Sequence, residues 1–170
     1  MEKTGKAPNS LERAAKIVPF VELKDIFMLE GDFFRSREFL DEAKSVDLKF
    51  DISTKVTDYD KKHLEIGVHL LLSSTDCKTD VKHFQVRASY CLTYDISPKG
   101  RITKKDREAF GAVNGVYNCW PYWREFVQSA TLRLNLPPLT LQVLRIPRVA
   151  TQGRGQEMEG VETQKTTARS

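Results

Sequence analysis

Three stretches of the chain alternate between apolar and polar residues. In each stretch nearly all even-numbered positions are apolar and nearly all odd-numbered ones are polar; Thr54 in the first stretch and Leu71 in the second are the main exceptions. Because successive side chains of a β-strand point to opposite faces, this period predicts strands over 46–56, 64–72 and 84–96. The segments between them are short and polar, as hairpin connections are. The pattern therefore predicts an antiparallel meander with one covered face.

A further strand is predicted within residues 18–31. Both its odd-numbered and its even-numbered positions carry apolar side chains, so the pattern does not show which face of this strand is buried. Residues 32–43 then fit neither a tight turn nor a solvated loop. Two interpretations stay open: a loop folded back on the core, or an apolar wall exposed for a partner. Its large apolar side chains are Phe33, Phe34, Phe39 and Leu40.

The pattern becomes helical after residue 100. Thr103 is placed to cap a helix over 104–118, in which Gly111 and Gly115 weaken the helix but permit close packing. Pro121 fits the first turn of a second, longer helix, where its missing N–H costs nothing. The apolar stripe predicted for that helix consists of Tyr122, Trp123, Phe126, Val127, Ala130, Thr131 and Leu134.

Shorter elements flank these helices and strands. A helix is predicted at residues 10–18, with Ser10 as its cap and Glu12 in the first turn, where the helix dipole favours an acid. The proline pair at 137–138 ends the long helix, and the chain then runs extended to Pro147.

These elements predict an α+β fold: a four-stranded antiparallel sheet with one face covered by a short and a long C-terminal helix. Residues 1–16 form an N-terminal segment with a short helix, and 17–147 form the folded domain. Residues 148–170 are a polar tail that is predicted to be disordered.

Composition excludes several function classes. The 170 residues carry a net charge of +4, but Lys and Arg are scattered among Asp and Glu, and no basic stripe interleaved with aromatic residues indicates nucleic-acid binding. No apolar run approaches the ~20 residues that cross a bilayer, and no signal peptide is visible, so we expect a cytoplasmic protein without membrane insertion.

The chemistry-bearing residues do not form a catalytic or metal-binding motif. The three cysteines and three histidines lack the spacing of zinc ligands. The sequence has no Gly-x-Ser-x-Gly, no His-Glu-x-x-His and no Gly-rich phosphate loop. We therefore expect neither an enzyme nor a cofactor or metal. The apolar surface is nevertheless larger than one small sheet requires, so the excess is either buried between subunits or forms grooves for an extended apolar ligand.

Two motifs carry a resemblance to a known family. The run Trp-Pro-Tyr-Trp-Arg-Glu at 120–125, followed by a helix and by Leu-Pro-Pro-Leu-Thr-Leu at 136–141, resembles the SecB protein-export chaperones. Lys24-Asp25-Ile26 is similar to the first strand of that family. The resemblance covers roughly residues 17–147. The residues that match the family motif are Lys24, Asp25, Trp120, Pro121, Tyr122, Arg124 and Glu125.

The resemblance implies an ATP-independent holdase, assembled as a homotetramer (a dimer of dimers), that binds unfolded or partly folded polypeptides. The implied grooves are bounded by the crossover loop, which is 32–43 here, and by the long helix. The groove candidates are Phe33, Phe34, Phe39, Leu40, Trp123, Phe126, Leu139, Leu141 and Leu144.

The sequence also departs from the export chaperones. Gln85 stands about where a second acid would follow Asp25, and the tail mixes basic with acidic residues, so coupling to the translocase motor SecA is in doubt. The version of the motif found here is closer to SecB-like chaperones that protect antitoxins, whose client is an antitoxin C-terminal segment. A scaffolding oligomer that uses its apolar surface only for self-assembly is the alternative, and a lipid or small-ligand carrier is the third choice.

Overall fold

Four long strands form an antiparallel sheet in the order β1-β4-β3-β2. The computed structural model describes residues 9–37, 46–76, 81–97 and 101–145. The strands are β1 (Val21–Arg35), β2 (Val46–Tyr59), β3 (His63–Asp76) and β4 (Lys82–Ile96). The predicted meander is confirmed, and each of its strands is a few residues longer than its alternation indicated. Strand β1 pairs with β4, which leaves β1 and β2 as the two edges of the sheet.

Strand β1 carries apolar side chains at both odd-numbered and even-numbered positions because two β-bulges interrupt it. Lys24 and Leu29 are extra residues relative to β4, and each shifts the pairing register by one. The side chains that face the helices are therefore odd-numbered before Lys24, even-numbered between the bulges and odd-numbered again after Leu29. This settles the face assignment that the sequence left open.

Residues 32–35 continue β1, so the prediction of a loop that begins at residue 32 is wrong. Phe33 and Phe34 pair with successive residues of β4 and therefore face opposite sides of the sheet. The second bulge explains the error, because it breaks the alternation that would have identified these residues as strand. Phe39 and Leu40, with the rest of the predicted loop from residue 38, lie outside the described residues.

Helices cover one face of the sheet, as predicted. They are α1 (Ser10–Ile17), which leads through a short 3-10 turn (Val18–Phe20) into β1, then α2 (Lys104–Phe110) and α3 (Val116–Arg133). A π-helical turn, Gly111–Gly115, joins α2 to α3 without a break. The short and the long C-terminal helix of the predicted α+β class are therefore both present.

Side-chain caps set the starts of α1 and α2. Asn9, and not Ser10 as predicted, caps α1: its side chain accepts a hydrogen bond from the backbone N–H of Glu12 (2.8 Å), and the Glu12 carboxylate accepts one from the backbone N–H of Asn9 (3.1 Å). Thr103 caps α2 in the same reciprocal way with Asp106, which confirms the predicted cap.

The prediction that Pro121 opens a second helix is wrong. Helix α3 begins at Val116 and runs through Pro121, which lies exposed on its surface. Tyr122 is also exposed, at 52%, so it does not belong to the buried stripe. The buried stripe of α3 consists of Val116, Cys119, Trp120, Trp123, Val127, Ala130 and Thr131. Beyond the helix, Asn135 adopts a left-handed backbone conformation (φ 54°), which turns the chain before the predicted proline pair.

The hydrophobic core lies between the helices and the even-numbered faces of β3 and β4. Those side chains are at most 2% exposed over residues 64–74 of β3 and at most 7% exposed over residues 84–96 of β4. Ala14 and Ile17 of α1 are buried as well, and Nη1 of Arg13 lies 3.3 Å from Oδ1 of Asp106 on α2.

The division of the chain at residues 16 and 147 stays a prediction, and the tail after Arg145 lies outside the described residues. None of the helices in the described ranges is long and apolar enough to cross a membrane.

Gly111 and Gly115 bring the π-helical turn close to β3, as predicted for these glycines. A Cβ atom at Gly111 would lie 3.3 Å from Cγ2 of Ile66. At Gly115 it would lie 3.2 Å from the same atom and 3.5 Å from Cγ2 of Val68. Because the two distances to Cγ2 of Ile66 are shorter than ordinary carbon–carbon contacts, the absence of a side chain sets how closely the helices approach the sheet.

We expect Gly115→Val to lower the free energy of unfolding by about 1–3 kcal/mol, because the added methyl groups overpack the contact with Ile66 and Val68. Ala112→Val is the matched control, since Ala112 is exposed on the same turn and the substitution carries the same cost of a β-branched residue in a helix. Urea denaturation of the two variants measures the difference. Equal losses in both would show that close packing at Gly115 is not the cause.

Candidate functional site

The helices leave the apolar face of β2 partly uncovered. Leu48, Phe50 and Ile52 are 49%, 38% and 42% exposed, whereas the residues that pair with them on β3 are at most 2% exposed. We call the depression between this face of β2 and the helices the β2 furrow. Its strand side runs from Leu48 to Tyr59, and its helix side is formed by parts of α1, α2, the π-helical turn and α3.

The central section of the β2 furrow is apolar. It is a cleft of about 370 Å³ in which Ile52 faces Leu11 of α1, the adjacent Ala112 and Val113 of the π-helical turn, and Leu144. Apart from Thr54 and Arg145, the lining side chains offer contact area and no directed hydrogen bond, so this section can bind apolar groups of many shapes.

The other section of the furrow is polar and larger, about 650 Å³. It shares Thr54 with the central section and continues along β2 to Tyr59. On the helix side it is lined by Lys104, Arg107 and Glu108 of α2, and by Gly111. From Leu48 to Tyr59 the furrow is roughly 35 Å long, at ~3.3 Å per strand residue. It is therefore long enough for an extended segment of another chain.

Phe50 joins the furrow to the core. Its ring centroid lies 5.4 Å from that of Trp120 in an edge-to-face arrangement and 6.2 Å from that of Trp123. Trp123 itself is wholly buried. The exposed part of Phe50 therefore rests on a rigid aromatic support rather than on a mobile surface.

An extended segment, 137–145, lies along α3, and we call it the C-terminal strap. Side chains of α3 hold its backbone. Trp120 Nε1 donates to the carbonyl of Gln142 (2.8 Å), and Arg124 Nε donates to the carbonyl of Leu141 (2.7 Å). Near its start, the backbone N–H of Leu139 donates to Oγ1 of Thr131 (3.1 Å). These bonds place Leu144 at the central section of the furrow.

The structure places the groove candidates in several different surroundings. Phe33 is half-buried and meets Phe126 edge-to-face, with 6.3 Å between ring centroids, whereas Phe34 is 42% exposed on the outer face. These two phenylalanines therefore do not line one groove. Trp123 is 0% exposed and belongs to the core, so its place among the groove residues is corrected. Half-buried strap residues packed against the core are Leu139, Leu141 and Leu144.

Sequence reasoning missed the main residues of the furrow. Leu48, Phe50 and Ile52 were assigned to the covered face with the other even-numbered residues, and Arg107 was not singled out. A signal was present, however. Four strands ~4.8 Å apart make a sheet wider than one helix of ~10 Å diameter, so an edge strand was bound to stay partly open.

The comparisons with known proteins agree with this architecture. No protein-family model matches the chain. The SecB-like chaperone Rv1957 of Mycobacterium tuberculosis (strain ATCC 25618 / H37Rv) is 41% identical over 51 residues, 30% of this chain and 28% of the relative. The SecB-like chaperone MT2006 of strain CDC 1551 / Oshkosh gives the same values. The matched segment thus spans little more than a quarter of these relatives' length.

A solved structure extends the similarity to most of the chain. It is the Mycobacterium tuberculosis Rv1957 SecB-like chaperone in complex with a ChAD peptide from the Rv1956 HigA1 antitoxin. Its TM-score is 0.68 at 22% sequence identity, over 80% of this chain and 99% of that chain. This chain has the SecB-like fold. The resemblance to SecB-like chaperones that the sequence motifs indicated is confirmed.

The residues that match the family motif lie at several separate places in the SecB-like fold. Trp120 and Arg124 hold the C-terminal strap, while Glu125, like Pro121 and Tyr122, lies exposed. On β1, Nζ of Lys24 lies 2.9 Å from Oδ2 of Asp95 on β4, and Oδ1 of Asp25 accepts a hydrogen bond from the backbone N–H of Ile26 (2.8 Å). Among the described residues, no group of His, Cys, Asp or Glu is arranged to hold a metal ion.

Several titratable groups are buried between the sheet and α3 of the SecB-like fold. Burial raises the pKa of the Cys119 thiol to about 12 and that of the Tyr94 phenol to about 12. Burial also raises the pKa of Tyr90, whose hydroxyl is without a hydrogen-bond partner in the described part of the chain. All three groups therefore stay protonated in the folded state at pH values where an exposed thiol or phenol ionises.

These shifts predict a loss of stability at alkaline pH. In the unfolded chain the thiol titrates near 9.0 and the phenols near 10.0, below their folded values, so the stabilisation is complete below pH 9 and is lost as the pH rises toward 12. Tyr90→Phe should retain or raise the free energy of unfolding at neutral pH, because it removes an unpaired buried hydroxyl, and should reduce the alkaline loss.

Urea denaturation at neutral pH and at increasing alkaline pH measures both effects. Tyr117→Phe is the control, because Tyr117 is 45% exposed and its removal should leave the pH dependence unchanged. An alkaline loss that is as large in Tyr90→Phe as in the unaltered protein would contradict the assignment.

Proposed function

We propose that this chain is an ATP-independent chaperone, a holdase, that binds unfolded or partly folded polypeptides in the β2 furrow. The observation that carries the proposal is the row of Leu48, Phe50 and Ile52, which stays 38–49% exposed beside a fully packed core. A client segment in extended conformation fits the length of the furrow. Apolar contact without a hydrogen-bond code suits a protein that must accept many sequences.

A single furrow is expected to bind a client segment with moderate affinity. A segment that buries ~1,000 Å² of apolar surface gains ~25 kcal/mol gross, and most of this is offset by ordering the client and restricting its motion. Several furrows in one assembly, each engaging a different part of the same client, would raise the affinity without any new contact. A homotetramer, a dimer of dimers, supplies this multivalency and is the assembly that we propose.

Apolar surface outside the furrow supports self-assembly. Leu29 on β1 is 61% exposed, and Tyr122 and Leu132 on α3 are 52% and 56% exposed. The same observation favours the second candidate function, a scaffolding oligomer that uses apolar surface only for self-assembly. The two functions differ in whether the furrow stays open in the assembly.

We favour a role in protecting an antitoxin in the cytoplasm over a role in protein export. The solved relative contains an antitoxin peptide, and this supports an antitoxin C-terminal segment as a client here. SecA coupling has less support, because the acids Glu30 and Asp32 on the outer face of the sheet both contact the guanidinium of Arg87 and are partly neutralised. Gln85, moreover, stands where a second acid would follow Asp25.

The double variant Leu48→Ser/Ile52→Ser should suppress client aggregation less well than the unaltered protein. Losing two apolar contacts is expected to weaken client binding about tenfold or more, at ~25 cal/mol per Å² of buried apolar surface. The measurement is light scattering of a chemically unfolded client diluted into substoichiometric chaperone. Val81→Ser is the matched control, since Val81 is 44% exposed and lies outside the furrow. Undiminished suppression by the double variant would rule out the furrow as the client site.

The same double variant separates the chaperone from the scaffold. We expect light scattering after size-exclusion chromatography to give four times the mass of the chain for the unaltered protein and for Leu48→Ser/Ile52→Ser alike, because the furrow is open in the proposed tetramer. Dissociation of the double variant would instead assign the furrow to an interface between subunits. A normal assembly that suppresses no aggregation would favour the scaffold.

A further inference from the structure

The two sections of the β2 furrow differ in charge. The side chains that line the central section are apolar except for Thr54 and Arg145. The polar section, by contrast, brings Lys104 and Arg107 of α2 opposite Tyr59 of β2. A client that lies along the whole furrow therefore meets apolar surface at one section and basic side chains at the other.

Arg107 is held in a fixed orientation. Its guanidinium carbon lies 3.5 Å from the centroid of the Tyr59 ring, and Nη1 donates to the carbonyl of Ile102 (3.2 Å). Nε is buried and has no hydrogen-bond partner in the part of the chain that the structure describes. Nη2 is thus the nitrogen that remains for a ligand, on a half-buried cation whose position is already set.

The neighbouring acids do not neutralise this cation. Oδ1 of Asp58 accepts a hydrogen bond from the backbone N–H of Tyr59 (2.8 Å), and Glu108 lies 3.9 Å from Nζ of Lys104, one turn earlier on the same helix. Both acids line the polar section, but Lys55, Lys104 and Arg107 line it as well, so the section keeps one positive charge in excess. It is therefore complementary to a negative charge.

We propose that the Tyr59–Arg107 end of the furrow binds a carboxylate of the client and so fixes the direction in which an apolar segment lies along β2. The inference rests on the proposed function and adds a specificity to it. A carboxylate can accept a charge-assisted hydrogen bond from Nη2 of Arg107. Ile52 and Tyr59 are roughly 23 Å apart along the strand, so the carboxylate belongs about seven extended residues from the client side chain that contacts Ile52.

Two sources offer this chemistry: the α-carboxylate at a C-terminus and the side chain of Asp or Glu. Three fluorescently labelled peptides distinguish them. They share one apolar segment followed by a spacer of suitable length, and they end in glutamine with a free carboxylate, in glutamine amide, or in glutamate amide. Fluorescence anisotropy with the full chain gives the dissociation constant of each.

We expect the peptides with a carboxylate to bind about threefold to tenfold more tightly than the glutamine amide, the range of a partly exposed charge pair, and the difference to shrink in high salt. A difference for the free acid alone identifies a C-terminus as the ligand. Arg107→Gln should abolish the preference, so that the three peptides bind this variant with equal affinity. Lys105→Gln, an exposed residue of the same helix that does not line the furrow, should retain the preference.

Equal affinity for all three peptides would overturn the carboxylate site and leave the apolar furrow intact. If none of the peptides binds, the proposed function fails and the carboxylate site fails with it. Should Arg107→Gln not fold, as judged by circular dichroism, the comparison of the three peptides on the unaltered protein still decides the question.

Discussion

The close contact between the π-helical turn and β3 determines where the apolar surface of this protein stays open. Gly111 and Gly115 have no side chain, so the helices lie directly on Ile66 and Val68 of β3. A single helix ~10 Å in diameter that is fixed there covers the inner strands of a sheet of four strands ~4.8 Å apart, but it does not cover both edges. The apolar row of β2 is left open for this reason. The furrow is thus a consequence of the same packing that stabilises the core.

The C-terminal strap shows how the most recognisable motif of the sequence works. Trp120 and Arg124 donate hydrogen bonds to backbone carbonyls of the strap, and Thr131 accepts one from its backbone. None of these bonds depends on the side chains that the strap carries. The motif therefore positions a segment of the chain, and it places Leu144 in the wall of the furrow.

The furrow combines two kinds of recognition. In the proposed function, its apolar section accepts many sequences because the hydrophobic effect is non-directional. Its polar section, with Arg107 fixed on Tyr59, offers one oriented cation. Together the two sections form a site that can bury many different apolar side chains but selects for one negative charge on the client. A chaperone with a dedicated client needs both properties, since breadth alone does not distinguish that client from other unfolded chains.

The sequence by itself determined the strands, the helices, the α+β class and the family resemblance, because side-chain alternation, capping residues and glycine positions are local properties of the chain. The predictions failed where local pattern and tertiary structure disagree: two bulges change which residues of β1 face the helices, and helix α3 begins before Pro121 and continues through it. Which apolar residues remain exposed was decided only by the tertiary structure. Leu48 and Leu70 follow the same alternation, but Leu70 lies on an inner strand beneath the helices, whereas Leu48 lies on an edge strand beyond their reach.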